Sequence, residues 1–201
     1  MTITAIKQQE RLKGRYSIYI DEKYAFSLSA DALLAEKLHN GQELDTAQLK
    51  TYKKLSADDK AYGLALAYVA RRMRSRHELT DYFRRKGYEV GLGEQILKKL
   101  ENLRLVDDQA FAEAWVRNRR MLKPVSKRRL TQELRQKRVA DDIIEQTLAE
   151  DETDERTVLK ELIEKRRRQS KYQDDLKLMQ YLARQGFSYD DIKAALRHEE
   201  E

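Results

Sequence analysis

Four apolar positions recur along the chain at constant spacing. Leu79, Phe83, Tyr88 and Leu97 return 51 residues later as Leu130, Leu134, Val139 and Leu148. They return again, 48 residues further on, as Leu178, Leu182, Phe187 and Leu196. No gap is needed within any matched stretch. The dipeptide Lys86-Gly87 recurs in step as Lys137-Arg138 and Gln185-Gly186. A period near fifty marks an array of supersecondary units, each too small to close a core alone. The i, i+4 spacing inside each copy predicts a helix, and the dipeptide predicts its end.

In the first unit the pattern predicts helices over 62–74, over 75–87 and from about Val90 to Leu103, with Leu66 and Val69 among the buried positions. Ser75-x-x-Glu78 has capping-box spacing and starts the second of these. Asp107-Asp108 opens the next unit, where Phe111, Trp115 and Val116 share one helix face. Lys123-Pro124-Val125 breaks that helix, Ser126 caps another, and Asp141-Asp142 lead into a third. Glu150 to Glu155 is a linker or a helix start. Val158, Leu159, Leu162 and Ile163 carry the first helix of the last unit. Ser188-x-x-Asp191 caps the final helix, and the chain ends in a frayed His198-Glu-Glu-Glu201.

Residues 1 to 28 have a different pattern. Arg15 to Ile20 and Tyr24 to Leu28 are rich in β-branched and aromatic residues and flank the polar turn Asp21-Glu22-Lys23. They predict a β-hairpin, with Thr2 to Lys7 as a third strand. Ser29 caps a short helix, Ala30 to Leu38, and another helix starts at Asp45 or Thr46 and runs to about Leu55. Ser56 or Asp58 opens the repeats. The expected architecture is therefore mostly α: a small N-terminal β-hairpin and helix module over 1–55, then three-helix repeats over 56–106, 107–150 and 151–201. The module over 1–55 is expected to be separable.

Charge adds a direction to this picture. The net charge is +6, a modest excess, but its distribution is uneven. Residues 71–86 hold seven Lys or Arg against two acids, and 117–138 hold ten against one. Residues 141–155 then hold eight acids and no base. Blocks of this kind point to a surface for a polyanion. With Leu130 and Leu134 turned to the core, the opposite helix face carries Arg128, Arg129, Gln132, Arg135 and Gln136, with no acid. The matching face of the first unit reads His77, Glu78, Asp81, Arg84 and Arg85; that of the third reads Leu176, Lys177, Gln180, Ala183 and Arg184. The candidate contact residues are Arg71, Arg72, Arg74, Arg84 and Arg85; Arg117, Arg119, Arg120, Lys127, Arg128, Arg129 and Arg135; and Arg166, Arg167 and Arg168. A solvated helix face is the plain alternative, but such faces normally mix signs at i, i+4.

Other chemistry is sparse. The seven glycines form no phosphate-binding loop, and the three histidines have no partner at ligand spacing. The chain has no cysteine, which fits a reducing cytoplasm. No apolar run reaches membrane-spanning length, and the N-terminus has no signal-peptide core. Asp107-Asp108 and Asp141-Asp142 read as helix caps rather than catalytic pairs, and the phase of Trp115 favours the core over base stacking. No nucleophile has a local base. The expectation is a non-enzymatic protein with no cofactor and no metal.

The motifs Arg74-Ser-Arg-His-Glu-Leu79, Lys86-Gly-Tyr88, Leu105-Val-Asp-Asp-Gln-Ala-Phe-Ala112, Trp115-Val-Arg-Asn-Arg119 and Lys123-Pro-Val-Ser-Lys-Arg-Arg-Leu-Thr-Gln-Glu-Leu134 follow in an order that resembles the RecX family, regulators of the bacterial RecA recombinase. The stretch from Arg15 to Leu28 resembles the N-terminal extension of that family. The third repeat matches in outline only. Two positions depart: Arg138 and Arg104 stand where the family usually has Gly. The resemblance implies tandem three-helix units and no catalysis. It also implies binding along RecA–single-stranded DNA filaments, with inhibition of strand exchange and ATP hydrolysis. A monomer with weak, sequence-blind DNA binding is expected. Two rivals stand beside it. One is a nucleic-acid binder that needs no RecA, either a helix-turn-helix regulator or a single-strand binder. Against a sequence reader, the basic faces carry few Asn or Gln. The other is a peptide-binding solenoid, for which no surplus apolar stripe is present.

Overall fold

The computed structural model describes residues 1–197; the chain end His198–Glu201, expected to fray, lies outside them. The elements are β1 (Ile3–Gln8), β2 (Arg15–Ile20), β3 (Lys23–Ser29), α1 (Ala30–Ala35), α2 (Thr46–Ala70), α3 (Arg76–Lys86) and α4 (Val90–Asn102). There follow α5 (Asp108–Leu122), α6 (Lys127–Gln136), α7 (Asp141–Ala149), α8 (Glu155–Arg167), a 3-10 turn (Ser170–Tyr172), α9 (Asp175–Arg184) and α10 (Tyr189–Arg197). The fold is mostly helical, as expected. It divides into two compact units. One holds Met1–Arg72 with Phe83–Leu100; the other holds Met73–Tyr82 with the chain from Glu101 onward.

In the first unit the three strands form an antiparallel sheet in the order β1-β2-β3. Asp21 and Glu22, both with positive φ, make the two-residue turn between β2 and β3, a backbone that matches the twist of paired strands. Ile3, Ile18, Ile20, Phe26 and Leu28 bury one face against Leu38 and Leu44. Ser29 caps α1 by accepting from the Ala32 N–H. The helix stops short of Leu38 because Lys37 takes φ 52°, which folds Leu38 back so that its N–H reaches the Leu33 carbonyl.

Two expectations fail here. The helices expected over 45–55 and 62–74 are one helix, α2, which begins at a capping box on Asp45 and Gln48. The boundary expected at 55/56 therefore falls inside a continuous helix. Ser56 is not a cap: its hydroxyl donates to the Ser27 carbonyl at 2.6 Å. Asp59, one turn on, accepts from the Arg15 guanidinium at 2.7 Å and from the Ser29 N–H and hydroxyl. Arg15 also reaches the Ser56 carbonyl. The Arg15–Asp59 pair is only 12% and 10% exposed. Leu66, expected in the core, is exposed; Ala61, Ala65 and Val69 are the buried positions.

The recurring apolar positions are core positions. Nine of the twelve are buried, from Leu79 to Phe187, and Tyr88, Leu148 and Leu196 are half-buried. Their spacing has a local cause. At the end of α3 the Tyr88 N–H reaches the Phe83 carbonyl and the Gly87 N–H that of Arg84; at the end of α6, Val139 reaches Leu134 and Arg138 reaches Arg135; at the end of α9, Phe187 reaches Leu182 and Gly186 reaches Ala183. Each is the same helix stop, closed by a left-handed residue and an apolar pair across the turn. That residue is Gly87, Arg138 or Gly186, with φ 69°, 56° and 94°. Arg104, the other departure, is also left-handed at φ 55°.

Within the second unit these stops join successive repeats. Ser75, the cap of α3, donates its hydroxyl to the Lys137 carbonyl at the end of α6. Ser126, the cap of α6, donates its N–H to the Gln185 carbonyl at the end of α9. Ser75 and Ser126 are equivalent by the 51-residue offset, as Lys137 and Gln185 are by 48, so one junction is used twice. At the second, a Cβ on Gly186 would lie 2.4 Å from Ser126 Oγ and 2.8 Å from Arg129 Cβ. At Gly87 a Cβ would meet nothing within 4 Å.

Four stability outcomes follow. Asp59→Ala leaves Arg15 buried without its counter-charge and is expected to cost about 3 kcal/mol or more in urea unfolding. A chain lacking 1–55 loses every sheet-side partner of Asp59 and is expected to unfold without a cooperative transition in its first unit. Gly186→Ala meets both a positive φ and a close contact and is expected to cost at least about 2 kcal/mol. Gly87→Ala meets only the first, at about 1 kcal/mol. Equal costs at the two glycines would refute the second junction.

Candidate functional site

The middle repeat, where basic residues are densest, sorts its cations by depth. Phe111, Ala112, Val116, Val125, Leu130, Leu134, Val139 and Ile144 make its core. That core is small, and polar knots extend it. Glu133 on α6 is 6% exposed. Its carboxylate accepts from Arg119 Nε at 2.8 Å and Nη2 at 2.7 Å, and from the Trp115 indole N–H at 3.0 Å. Arg129 approaches the same carboxylate at 3.4 Å. Trp115 is thus held at the core margin, its ring 5.8 Å from that of Phe111.

A second knot ties Arg120 to Asp151, with Nη2 at 2.7 Å and the side chains 10% and 8% exposed. Arg120 also donates to the Val125 carbonyl. Burial raises the Asp151 pKa, but hydrogen bonds from Thr153 and Arg120 outweigh it and hold the carboxyl below its ordinary value. Lys127 turns its ammonium to the Leu148 and Asp151 carbonyls. Arg119, Arg120 and Lys127 were expected on a partner-facing surface. In the structure their side chains pin α5 and α6 to Glu133 and to the segment before α8.

The third repeat does the same. Arg166 donates to the Tyr181 hydroxyl at 2.8 Å and lies 4.4 Å from that ring. Arg167 reaches Asp175 and the Tyr172 and Gln173 carbonyls. Arg168 is exposed. In the middle repeat Arg117, Arg128 and Arg135 face solvent. The acid-free face expected there is not free of acids in space, since Arg135 pairs with Asp141 from the next helix at 2.7 Å, with both side chains mostly exposed. That hydrogen bond and charge raise the Arg135 pKa further. Arg71, Arg72, Arg84 and Arg85 are exposed in the first unit, and Arg74 is half-buried in the second.

The acidic pairs are structural. Asp107 caps α5 by accepting from the Ala110 N–H. Asp108 instead accepts from the Arg76 N–H at the start of α3, and burial raises its pKa against that bond. Asp141 and Asp142 are not caps: Ala140 is the N-cap of α7 and offers no side-chain bond, so they act through the helix dipole. Among the described residues no cluster could hold a metal ion, and no helix is long and apolar enough to cross a membrane.

The comparisons with known proteins follow the same modules. Family models match in chain order: the N-terminal domain of regulatory protein RecX over 1–45, and the RecX first, second and third three-helix domains over 61–100, 107–148 and 154–196. The regulatory protein RecX of Bacillus pumilus (strain SAFR-032) is 34% identical over 200 residues, covering 97% of this chain and 76% of that protein. The chain belongs to the RecX family. A regulatory protein RecX from Halalkalibacterium halodurans is 38% identical over 122 residues, a match that spans only 46% of that protein. A crystal structure of regulatory protein RecX superposes with a TM-score of 0.72 at 30% identity, covering 98% of both chains. One of RecX from Lactobacillus salivarius gives 0.58 at 28% identity, over 70% of this chain and 95% of that one. The RecX N-terminal domain ends at 45, where α2 begins, ahead of the boundary expected at 55.

Burial separates two classes of arginine in one block, and mutation should separate them too. Arg120→Ala strands Asp151 and is expected to cost about 3–5 kcal/mol. Arg117→Ala and Arg128→Ala are expected to stay within about 0.5 kcal/mol. The Asp151 carboxyl is depressed in the fold. Its stabilisation is therefore present above the unfolded carboxylate pKa and lost as pH falls through the folded one. Asp151→Asn should flatten the acid limb of a stability–pH curve.

Proposed function

We propose that this chain binds RecA and RecA–single-stranded DNA filaments and restrains their ATP hydrolysis and strand exchange, modulating recombination and DNA repair. It does so without catalysis of its own, as a monomer in the cytoplasm. The observation that carries this reading is the RecX match of all four modules, in order, across the chain. The physics supports it. Repeats linked in one chain present several weak contacts, and such contacts add through effective concentration. The arginines left at the surface, Arg117, Arg128, Arg135 and Arg168 among them, suit an anionic partner and carry little folding energy.

The test is inhibition of DNA-dependent ATP hydrolysis by RecA. The chain is expected to inhibit it. Arg117→Glu with Arg135→Glu should raise the inhibitory concentration about tenfold or more, with helix content and urea midpoint unchanged. If the chain leaves ATP hydrolysis untouched yet binds DNA without RecA, the RecA-independent nucleic-acid binder is the better reading.

A further inference from the structure

The junction of the second and third repeats forms part of an open groove of about 780 Å3. Ser126 and Gly186 lie in its wall, with the starts of α6, α8 and α10 around it. Its acids are already engaged. Asp154 accepts from the Thr157 N–H and hydroxyl, and those bonds hold its carboxyl below the ordinary value. Glu155 accepts from the Lys127 N–H and Asp191 from the Ser188 hydroxyl.

Of the four cations in the lining, Lys127 is engaged by the Leu148 and Asp151 carbonyls, and Arg156 stands close enough to Asp154 to help lower its pKa. Arg128, Arg156 and Lys160 line the groove and are exposed. Among the described residues, none of the three side chains has a hydrogen-bond partner. Arg156 and Lys160 lie one turn apart on α8, and Arg128 comes from α6. The large apolar side chains in the lining, Leu159 and Phe187, are buried, so the groove offers no exposed anchor of the kind protein interfaces use. Ala194 and Ala195 are the small residues on its α10 side.

We infer that this groove holds the phosphodiester backbone of a nucleic-acid strand, with Arg128, Arg156 and Lys160 as its contacts. Three separate cations from two helices fit a repeated anion better than a single carboxylate, which one forked guanidinium would serve. Phosphate contacts of this kind position a strand without reading its bases. The inference rests on the reading that the chain acts on a DNA-bound filament, and it gives the DNA share of that contact a place.

The test uses the full chain and a thymidine oligonucleotide, titrated over a range of salt. Arg128→Gln, Arg156→Gln and Lys160→Gln together should weaken binding about tenfold or more at low salt. The slope of log affinity against log salt should become shallower by about 2, at roughly 0.7 per lost phosphate contact. A control of equal charge on α2, Lys50→Gln, Lys53→Gln and Lys54→Gln, should retain binding and slope. Circular dichroism and urea unfolding check the fold of both triples. Unchanged binding by the groove triple overturns the inference, and so does an equal loss in the control, which would make net charge the cause. ATP hydrolysis by RecA separates the two readings. If the groove triple keeps the oligonucleotide but loses inhibition, the groove serves a protein partner and this inference fails while the proposed function stands. If the wild-type chain never inhibits but the groove triple loses the oligonucleotide, the groove stands and the proposed function fails.

Discussion

The left-handed residue that ends each repeat's second helix is the constraint on which the rest depends. A helix end leaves carbonyls without partners. Here the next two N–H groups fold back to supply them, and that is sterically easy only if one residue takes a positive φ. The fold-back places an apolar residue, Tyr88, Val139 or Phe187, against the helix it has just left. This aims the chain toward the third helix and closes the small core. It also exposes a compact carbonyl end, onto which the preceding repeat docks the start of its own second helix through Ser75 or Ser126. One turn geometry therefore closes a unit and joins it to its neighbour. A repeat protein needs both, because no unit of this size buries enough surface alone.

Features governed by local rules were legible in the sequence. The hairpin, the caps at Ser29, Ser75 and Ser126, and the constant spacing of apolar positions each follow from neighbours within a few residues. The length of α2 was not legible. Ser56 and Asp58 look like helix starts, and Gly63 lowers helix propensity. What keeps the helix intact is tertiary: Ser56 and Asp59 are claimed by β3 and Arg15, which lie some thirty and forty residues earlier. Leu66 was misjudged as well. The side of α2 that is buried carries Ala61, Ala65 and Val69, and Leu66 falls outside it.

The candidate site shows how far charge counting reaches. Lys and Arg in 117–138 outnumber acids ten to one in sequence, but not in space. Glu133 is a single acid that engages Trp115, Arg119 and Arg129, and Asp151 is drawn in from the acidic segment to meet Arg120. A three-helix unit has little apolar volume, and the long arginine stems cover its core while their heads need acids. Some of the block is therefore structural by necessity. Arg156 and Lys160 escaped notice for the converse reason. They stand among acids in sequence, yet Asp154 and Glu155 are used up at helix starts.

Arg138 brings the two themes together. It fills the left-handed position that glycine fills in the other two repeats, at a cost of about 1 kcal/mol. The first junction tolerates a side chain there, because Ser75 reaches the Lys137 carbonyl through its hydroxyl, a longer arm than a backbone N–H. Lys137 adds an ion pair to Glu78 at 2.8 Å. The second junction brings the Ser126 backbone itself against Gln185, and its contact with Gly186 is too close for a Cβ. The same joint is thus built twice with different tolerances. A side-chain bridge at the first accepts an extra surface cation. A backbone bridge at the second excludes one, and at that second joint lies the open groove with its exposed cations.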